Sequence, residues 1–462
     1  MNTMKIIFIS LPSPFAEEPA MNPPLGICFI SSYLKKKGFS DISLIDYSLY
    51  KEYDYHNEKT YLEKLPLDGD VYGIYCITPQ YKWLYDISHY IKNNNDHARV
   101  ISGGPHSTNC PEDCLIDCEV DVAVCGEGEE AMEKILNNVP LEKISGAAYL
   151  KNGLVTNNTK AFIKNLDDFP LPDRDIIDLN LYKREIQGEK AAHIVTLRGC
   201  PFNCSFCDRY SVGKNTRFRS ISKVIEEVDL LRTKYGINSF VIYDDIFTLN
   251  KKRVFELCDL FKERETKWRC WSRTTTITED MLTYMKESGL TSITFGVESG
   301  DDTVLKKSNK GSTHEQNRTA LLLSKKVGVP VRCSLMYGLP GENMDSIKNT
   351  ISLVEETQPE EWNLAILAPI PGSDIWNNPK KYGVSFDKIW LKEQYYLPCN
   401  RFADSGVGNI WIEIDSMNKT ELYENLKYFI TELNRICPRK KIQDTIQAIN
   451  INELNPDYMI GS

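Results

Sequence analysis

Cys200, Cys204 and Cys207 lie close together in the run Cys200-Pro201-Phe202-Asn203-Cys204-Ser205-Phe206-Cys207. Thiolates at C-x3-C-x2-C spacing are metal ligands by type, and three readings are open to them. A tetrahedral zinc needs a fourth ligand, yet the next cysteines, Cys258 and Cys270, are far downstream. Inert burial needs a packed element, whereas Gly199, Pro201 and Asn203 mark a loop. A 4Fe–4S cluster takes three thiolates and leaves one iron open to a substrate or cofactor.

Such a loop needs a frame. An apolar run at 192–197 leads into it through Arg198-Gly199. Downstream, strand patterns at 239–243, 267–275, 292–297, 331–337 and 362–367 alternate with helical patterns at 252–264, 279–288, 314–327 and 344–357. With the leading strand these make six strand–helix units, a partial (β/α)6 barrel. Reactive groups of such a barrel belong at the carboxyl ends of its strands. Those ends carry Tyr243-Asp244-Asp245, then Arg273, then Gly296-Val297-Glu298-Ser299-Gly300, then Tyr337-Gly338-Leu339-Pro340-Gly341-Glu342.

The amino-terminal part alternates too. Strands are expected at 5–10, 42–46, 71–77, 99–102 and 120–125, and helices at 25–37, 83–93 and 129–136. That order implies a Rossmann-like α/β domain, a parallel sheet covered on both faces. Ligands of such sheets sit beyond the carboxyl ends of the strands. The loops there are rich in glycine and proline: Pro23-Pro24-Leu25-Gly26, Thr78-Pro79-Gln80-Tyr81, Gly103-Gly104-Pro105-His106-Ser107-Thr108 and Gly126-Glu127-Gly128-Glu129. Gly126, Gly128 and Ala131 fit the G-x-G-x-x-A dinucleotide fingerprint. It belongs after the first strand of its unit, however, and Glu127 and Glu129 would repel a pyrophosphate. Cys110, Cys114 and Cys118 recur every four residues, so a helix would bring them to one side; burial in the core is the expected reading, with a second cluster as its rival.

An Asn152-Gly153 hairpin signal and a stretch with two prolines at 166–174 suggest a connector at 142–187 between domains at 1–141 and 188–373. A mainly helical tail at 374–462 is expected to cap the barrel. Its helical pattern at 419–436 is amphipathic, and Tyr395, Tyr396 and Trp411 are candidate cavity aromatics. A net charge of −9 argues against a nucleic-acid partner. No apolar run reaches the length of a membrane span. With no signal peptide apparent, the expected location is the cytoplasm, where the 14 cysteines would be metal ligands or buried thiols.

The cysteine run, followed by these strand ends in this order, closely resembles the radical SAM superfamily. The Pro-Pro-Leu-Gly helix opening, the Gly103–Thr108 loop and the 126–129 turn, taken together, resemble the cobalamin-binding domain of cobalamin-dependent radical SAM enzymes. The resemblance spans most of the chain. It implies a 4Fe–4S cluster on Cys200, Cys204 and Cys207, with S-adenosylmethionine (SAM) on the open iron. It also implies SAM contacts from Phe206, Asp244, Arg273, Glu298, Ser299 and Gly338. The implied cobalamin contacts come from Leu25, Gly26, Thr78, Gln80, Gly103, Gly104, His106, Ser107, Gly126, Glu127 and Gly128. The D-x-H-x-x-G cobalt-ligand motif is absent, so no histidine is assigned to the metal.

What the resemblance implies chemically is methylation of an unactivated carbon. A 5′-deoxyadenosyl radical takes a hydrogen atom and methylcobalamin supplies the methyl group. The alternatives are rearrangement or cyclisation without methyl transfer, or a radical enzyme whose first domain holds no cobalamin. The implied partners are a small-molecule, peptide or lipid substrate and an electron donor such as flavodoxin or ferredoxin.

Overall fold

The computed structural model describes residues 4–13, 19–50, 60–208, 211, 213–388, 410 and 412–438. Tyr395, Tyr396 and Trp411 lie outside the described residues. The chain forms two compact units. One is built on Met1–Lys183 and includes Asp208–Gly213; the other is built on Arg184–Cys207 and Lys214–Lys388.

The first unit holds a seven-stranded sheet. Its strands are β1 (Ile6–Ser10), β2 (Ile42–Asp46), β3 (Val71–Tyr75), β4 (Arg99–Gly103), β5 (Val122–Val124), β6 (Ala147–Lys151) and β7 (Leu154–Asn157). Their spatial order is β2-β1-β3-β4-β5-β6-β7, parallel through β5 and antiparallel thereafter. Successive residues point to opposite faces of a strand, so Ile7, Ile9, Tyr72, Ile74 and Val100 feed one core. Ile6, Phe8, Val71, Ile101 and Val122 feed the other. The order 2-1-3-4-5 reverses direction between β1 and β3, and that switch point is where such sheets open a ligand crevice.

The stretch expected as a connector is part of this unit. Asn152 and Gly153 take positive φ, the geometry of a tight hairpin turn, and β6 pairs with β5. The proline-rich segment lies along helix Leu25–Lys36. Asp173 accepts from Ser31 Oγ at 2.7 Å and pairs with Lys35 at 2.6 Å, while Ser32 donates to the Leu171 carbonyl. Further on, Tyr182 donates to Asp46 at 2.6 Å. The prolines keep the segment extended, and these polar anchors hold it against one helix.

The expected helix across Cys110, Cys114 and Cys118 is interrupted. Helix Pro105–Asn109 ends, and a wider π turn spans Asp113–Asp117. Cys114 and Cys118 are buried in the core, as expected, and burial raises both thiols above their ordinary range.

The second unit begins with a hairpin of β8 (Glu185–Ile186) and β9 (Glu189–Ile194). Two short strands, β10 (Leu197–Arg198) and β11 (Arg217–Phe218), then pair antiparallel. The main sheet continues through β12 (Ser239–Ile242), β13 (Lys267–Ser272), β14 (Leu290–Glu298), β15 (Val331–Tyr337) and β16 (Glu361–Ile366). Six parallel strands stand in the order of the chain, β9-β12-β13-β14-β15-β16, curling into a half-barrel. The strand expected at 192–197 stops at Ile194, because Leu197 turns away to pair with Phe218.

The connecting helices are bounded by their own chemistry. Ser220, Asn250, Thr313 and Asn343 cap amino termini with side-chain oxygens, and Gly236 and Gly328 close carboxyl termini in the left-handed region. The helices cover one face of the sheet. Trp268 stacks on Phe261 and donates to the Ser288 carbonyl. Tyr337 meets Phe429 of helix Lys419–Ile436 and donates to the Leu422 carbonyl. Residues of opposite parity therefore form the concave face.

Candidate active site

The cysteine loop is held at both its ends and its middle. The β10–β11 pair brackets it. The Ser205 amide donates to Ser308 O at 2.9 Å, and the Ser205 carbonyl accepts from Ile375 N at 3.0 Å. Arg273, just past β13, is buried; its guanidinium stacks over the Phe202 ring at 3.8 Å, lies 3.4 Å from Cys204 Sγ and donates to the Lys310 carbonyl. A fixed cation thus sits against one candidate ligand sulfur. Cys204 is buried, Cys200 half-buried and Cys207 exposed, and burial raises the Cys200 thiol. Among the described residues no three His, Cys, Asp or Glu side chains converge on one point. A four-iron cluster binds each thiolate at a different iron, so its ligands need no such convergence. Three thiols on one backbone-anchored loop therefore fit the cluster by donor type and spacing.

The strand ends place further groups. Glu298 lies at φ +65, where a side chain other than glycine is uncommon, at a register shift between β14 and β15. Its carboxylate accepts from Lys310 Nζ at 2.7 Å, and both side chains are nearly buried. A Cβ on Gly296 would stand 2.6 Å from Glu298 Oε1 and 2.8 Å from Lys310 Nζ. The glycine thus makes room for the pair. Strain of this kind survives where surrounding structure imposes it, commonly at functional sites.

Asp244 is buried and occupied within the protein. It accepts from Thr196 N at 2.6 Å, Thr196 Oγ1 at 2.5 Å and Leu197 N at 3.1 Å. Burial pushes its carboxyl up to about 6 against those hydrogen bonds. Asp244 therefore holds the chain just before the cysteine loop. Arg273 is engaged with Cys204 and the Lys310 carbonyl and not with Asp244. The next residue, Asp245, has an exposed side chain in a concave setting that raises its carboxyl, and its charge acts on Cys200.

Ser299 is buried and accepts from Asp301 N. Gly338 donates its N–H to Glu342, whose fully buried carboxyl rises to about 8. Phe206 is half-buried on the loop. Sequence reasoning missed Lys310 and named Asp245 and Glu342 only as members of their strand ends. Lys310 carried no signal because its partner is reached through an intervening helix, Asp302–Lys307.

In the first unit, the carboxyl-end loops fall into two kinds. Gly26 and Gly103 border open space: a Cβ at either would meet nothing within 4 Å. Leu25 opens the helix beside Gly26. The rest are engaged with their own unit. Gly126, at φ +102, is pressed on the Ala161 backbone, and Gly104 faces Cys76 O. Gly128 lies against Ile30. Glu127 accepts from Ile163 N at 2.5 Å. Gln80 donates to Leu11 O, Pro12 O and Ser13 Oγ while its own oxygen accepts from Ile77 N. His106 and Ser107 are buried, and His106 Nδ1 lies 3.3 Å from Thr78 Oγ1. Asn109, closing that loop, donates to Asp208 at 2.8 Å and Ser211 at 3.0 Å. Open glycine backbone in the segments that follow β1 and end β4 fits a large ligand held by shape and amide contacts.

A parallel half-barrel with a three-cysteine loop at the carboxyl ends of its strands defines an iron–sulfur enzyme that binds an adenosyl cofactor. Residues 194–354 match the Radical SAM superfamily, and residues 19–136 match the B12 binding domain. An uncharacterized methyltransferase of Pyrococcus horikoshii is 32% identical over 404 residues, covering 85% of this chain and 86% of that one. The anaerobic magnesium-protoporphyrin IX monomethyl ester cyclase of Cereibacter sphaeroides is 26% identical over 402 residues, covering 83% of this chain and 65% of the cyclase. The structure of the cobalamin-dependent SAM radical enzyme OxsB, with aqua-cobalamin and SAM bound, superposes with a TM-score of 0.65 at 21% identity. That match covers 86% of this chain and 55% of OxsB, so this chain spans little more than half the length of that protein. The chain belongs to the cobalamin-binding radical SAM enzymes. Its cofactors are a 4Fe–4S cluster, SAM and cobalamin, and its turnover requires a reductant. Among the described residues no helix is long and apolar enough to cross a membrane.

Proposed function

We propose that this enzyme methylates an unactivated carbon of its substrate. The observation that carries the reading is the presence, in one chain, of a strained and charged strand-end site beside a cysteine loop and a separate sheet with an open glycine edge. The methyltransferase relative, similar over most of both chains, supports it. When bound, the three cofactors supply an electron, an adenosyl group and a transferable methyl group.

The residues divide the work. Cys200, Cys204 and Cys207 hold the cluster, and Arg273 and Ser205 fix the loop that carries them. Asp245 would receive the amino group of SAM in place of Asp244, the SAM contact that the resemblance implies; the buried Asp244 instead locks Thr196 and Leu197 in place. Glu298, held by Lys310, would contact the ribose or methionyl part of SAM when it is bound, and the Gly338 turn would offer backbone to its adenine. In the first unit, Gly26 and Gly103 offer backbone to the cobalamin, above a floor of Thr78, His106 and Ser107. Gln80, Glu127 and Gly126 keep the loops in shape. A flavodoxin or ferredoxin supplies the electron.

A second reading, cyclisation without methyl transfer, is supported by the cyclase relative. The two separate by product count. A methyltransferase that renews its methyl donor from SAM releases both 5′-deoxyadenosine and S-adenosylhomocysteine, and passes a deuterated methyl from SAM to product. The test is anaerobic turnover of the reconstituted chain in a metabolite extract. Release of 5′-deoxyadenosine with no S-adenosylhomocysteine and no labelled product would reject methylation.

A further inference from the structure

The concave face of the half-barrel is apolar toward β9, β12 and β13, where Ala191, Val241 and Trp271 cluster, and more polar toward β14, β15 and β16. Register sets Thr294 of β14 beside Arg332 of β15, Arg332 beside Glu361 of β16, and Ser334 beside Asn363. The alternate residues Cys333, Leu335, Trp362 and Leu364 are buried on the other face. Thr294, Arg332, Ser334 and Asn363 stay partly open. A barrel packed only for stability fills this face with branched apolar side chains. Toward β14, β15 and β16 this one instead carries hydroxyls, an amide and an ion pair.

The ion pair has a particular form. Arg332 donates through Nε to Glu361 Oε2 at 2.7 Å, with side chains 18% and 10% exposed. Among the described residues its two terminal nitrogens have no hydrogen-bond partner. Asn363 Nδ2 donates to Ser334 Oγ at 3.2 Å, and its buried Oδ1 has no partner among the described residues. A guanidinium held from behind at Nε presents a planar fork, and that fork matches the two oxygens of a carboxylate or phosphate. Thr294 and Arg332 share register with Trp271, two residues before Arg273. Arg332 is the second residue of β15 and Glu361 the first of β16, so the pair stands toward the amino ends of these strands, roughly 17 Å along β15 from its carboxyl end.

We propose that Arg332, oriented by Glu361 and flanked by the hydroxyls of Thr294 and Ser334, is an oxyanion subsite for the substrate. The substrate is then a polar molecule bearing a carboxylate or phosphate, anchored in the barrel by that group. The proposal rests on the reading of this barrel as the active site.

The test is thermal unfolding of the anaerobically reconstituted full chain in sodium phosphate, sodium acetate or acetamide, each against sodium chloride at matched ionic strength. Phosphate or acetate should raise Tm by about 2 °C or more, and neutral acetamide should not. Arg332→Met strands Glu361 and risks misfolding, so the double variant Arg332→Met/Glu361→Gln is the main comparison. It should fold and lose the shift, while Arg332→Lys, with charge but no fork, should keep a fraction of it. A shift with phosphate alone identifies a phosphorylated substrate, and with acetate alone a carboxylate; a shift with both shows that the oxyanion itself is read. An equal shift in the double variant, or no shift in the native chain with either anion, overturns the proposal. SAM cleavage measured on the same batch reports separately on the enzymatic reading, since its loss with anion binding intact leaves the subsite standing.

Discussion

The two sheets solve the same problem with opposite materials. In the first unit the carboxyl-end loops are mostly uncharged: glycine backbone, buried hydroxyls, an amide that ties the turn after β1 to the turn after β3 and a buried histidine against a threonine, with the Glu127 carboxylate taken up by Ile163 N. In the second they are charged: a guanidinium against a sulfur, a buried lysine–glutamate pair and carboxyls raised by burial. A large preformed cofactor is held by area and amide contacts, so its cradle needs shape. A cluster and a zwitterionic amino acid are small and charged, so their cradle needs fixed charges, which gain strength where water is sparse.

The comparison breaks most decisively at the cysteines. Cys204→Ala should abolish iron binding and reduce reductive SAM cleavage by about 1,000-fold or more, with cobalamin retention unchanged. Iron assay and 5′-deoxyadenosine release check this. Native cleavage in the variant would remove the cluster from this loop.

Next in size is the buried pair. Glu298→Gln leaves Lys310 charged in a nearly closed site and should cost about 3–5 kcal/mol of stability by denaturant titration. A loss below about 1 kcal/mol, the range of exposed pairs, would show that the two charges are solvated.

The glycines sharpen the contrast within the first unit. Gly126→Ala puts a methyl into the Ala161 backbone at positive φ and should destabilise the fold by about 1–3 kcal/mol. Gly103→Ala meets open space, so it should leave stability within about 0.5 kcal/mol. It should nonetheless weaken cobalamin retention about tenfold, read from the absorption band of the purified protein, a loss of about 1.4 kcal/mol. Unchanged retention would move the cofactor away from that edge.

The last expected effect is a slope. The Glu342 carboxyl is raised from its ordinary range to about 8 by burial. The folded protein therefore keeps a proton that the unfolded chain releases at lower pH. Its contribution to stability is full at acid pH and is lost as pH rises toward about 8. Glu342→Gln should flatten the fall of Tm across that window and leave Tm below it nearly unchanged. An identical pH profile in the variant would place Glu342 in an ordinary setting.

The strand order of the barrel and the cysteine loop were legible because each depends on local pattern: period-two apolar runs, helix caps, and glycine and proline at turns. The division of the aspartates was not. Asp244 and Asp245 are neighbours of one chemical type, and only the pleat of β12 decides which turns inward to Thr196. The Glu298–Lys310 pair was hidden because it joins a strand end to the loop after a helix. Arg332 gave no signal of its pairing, since its partner Glu361 stands on another strand 29 residues away. The hairpin at 147–157 read as a connector because β5, the strand it joins, has a free edge only in three dimensions.

One feature of the first unit bears on how the protein is made. Asn109 takes as its partner Asp208, 99 residues later and next to Cys207. A ribosome therefore releases most of the first sheet long before that hydrogen bond can form. That contact forms only once the cysteine loop has been synthesised, and a fragment ending at Lys183 would lack it.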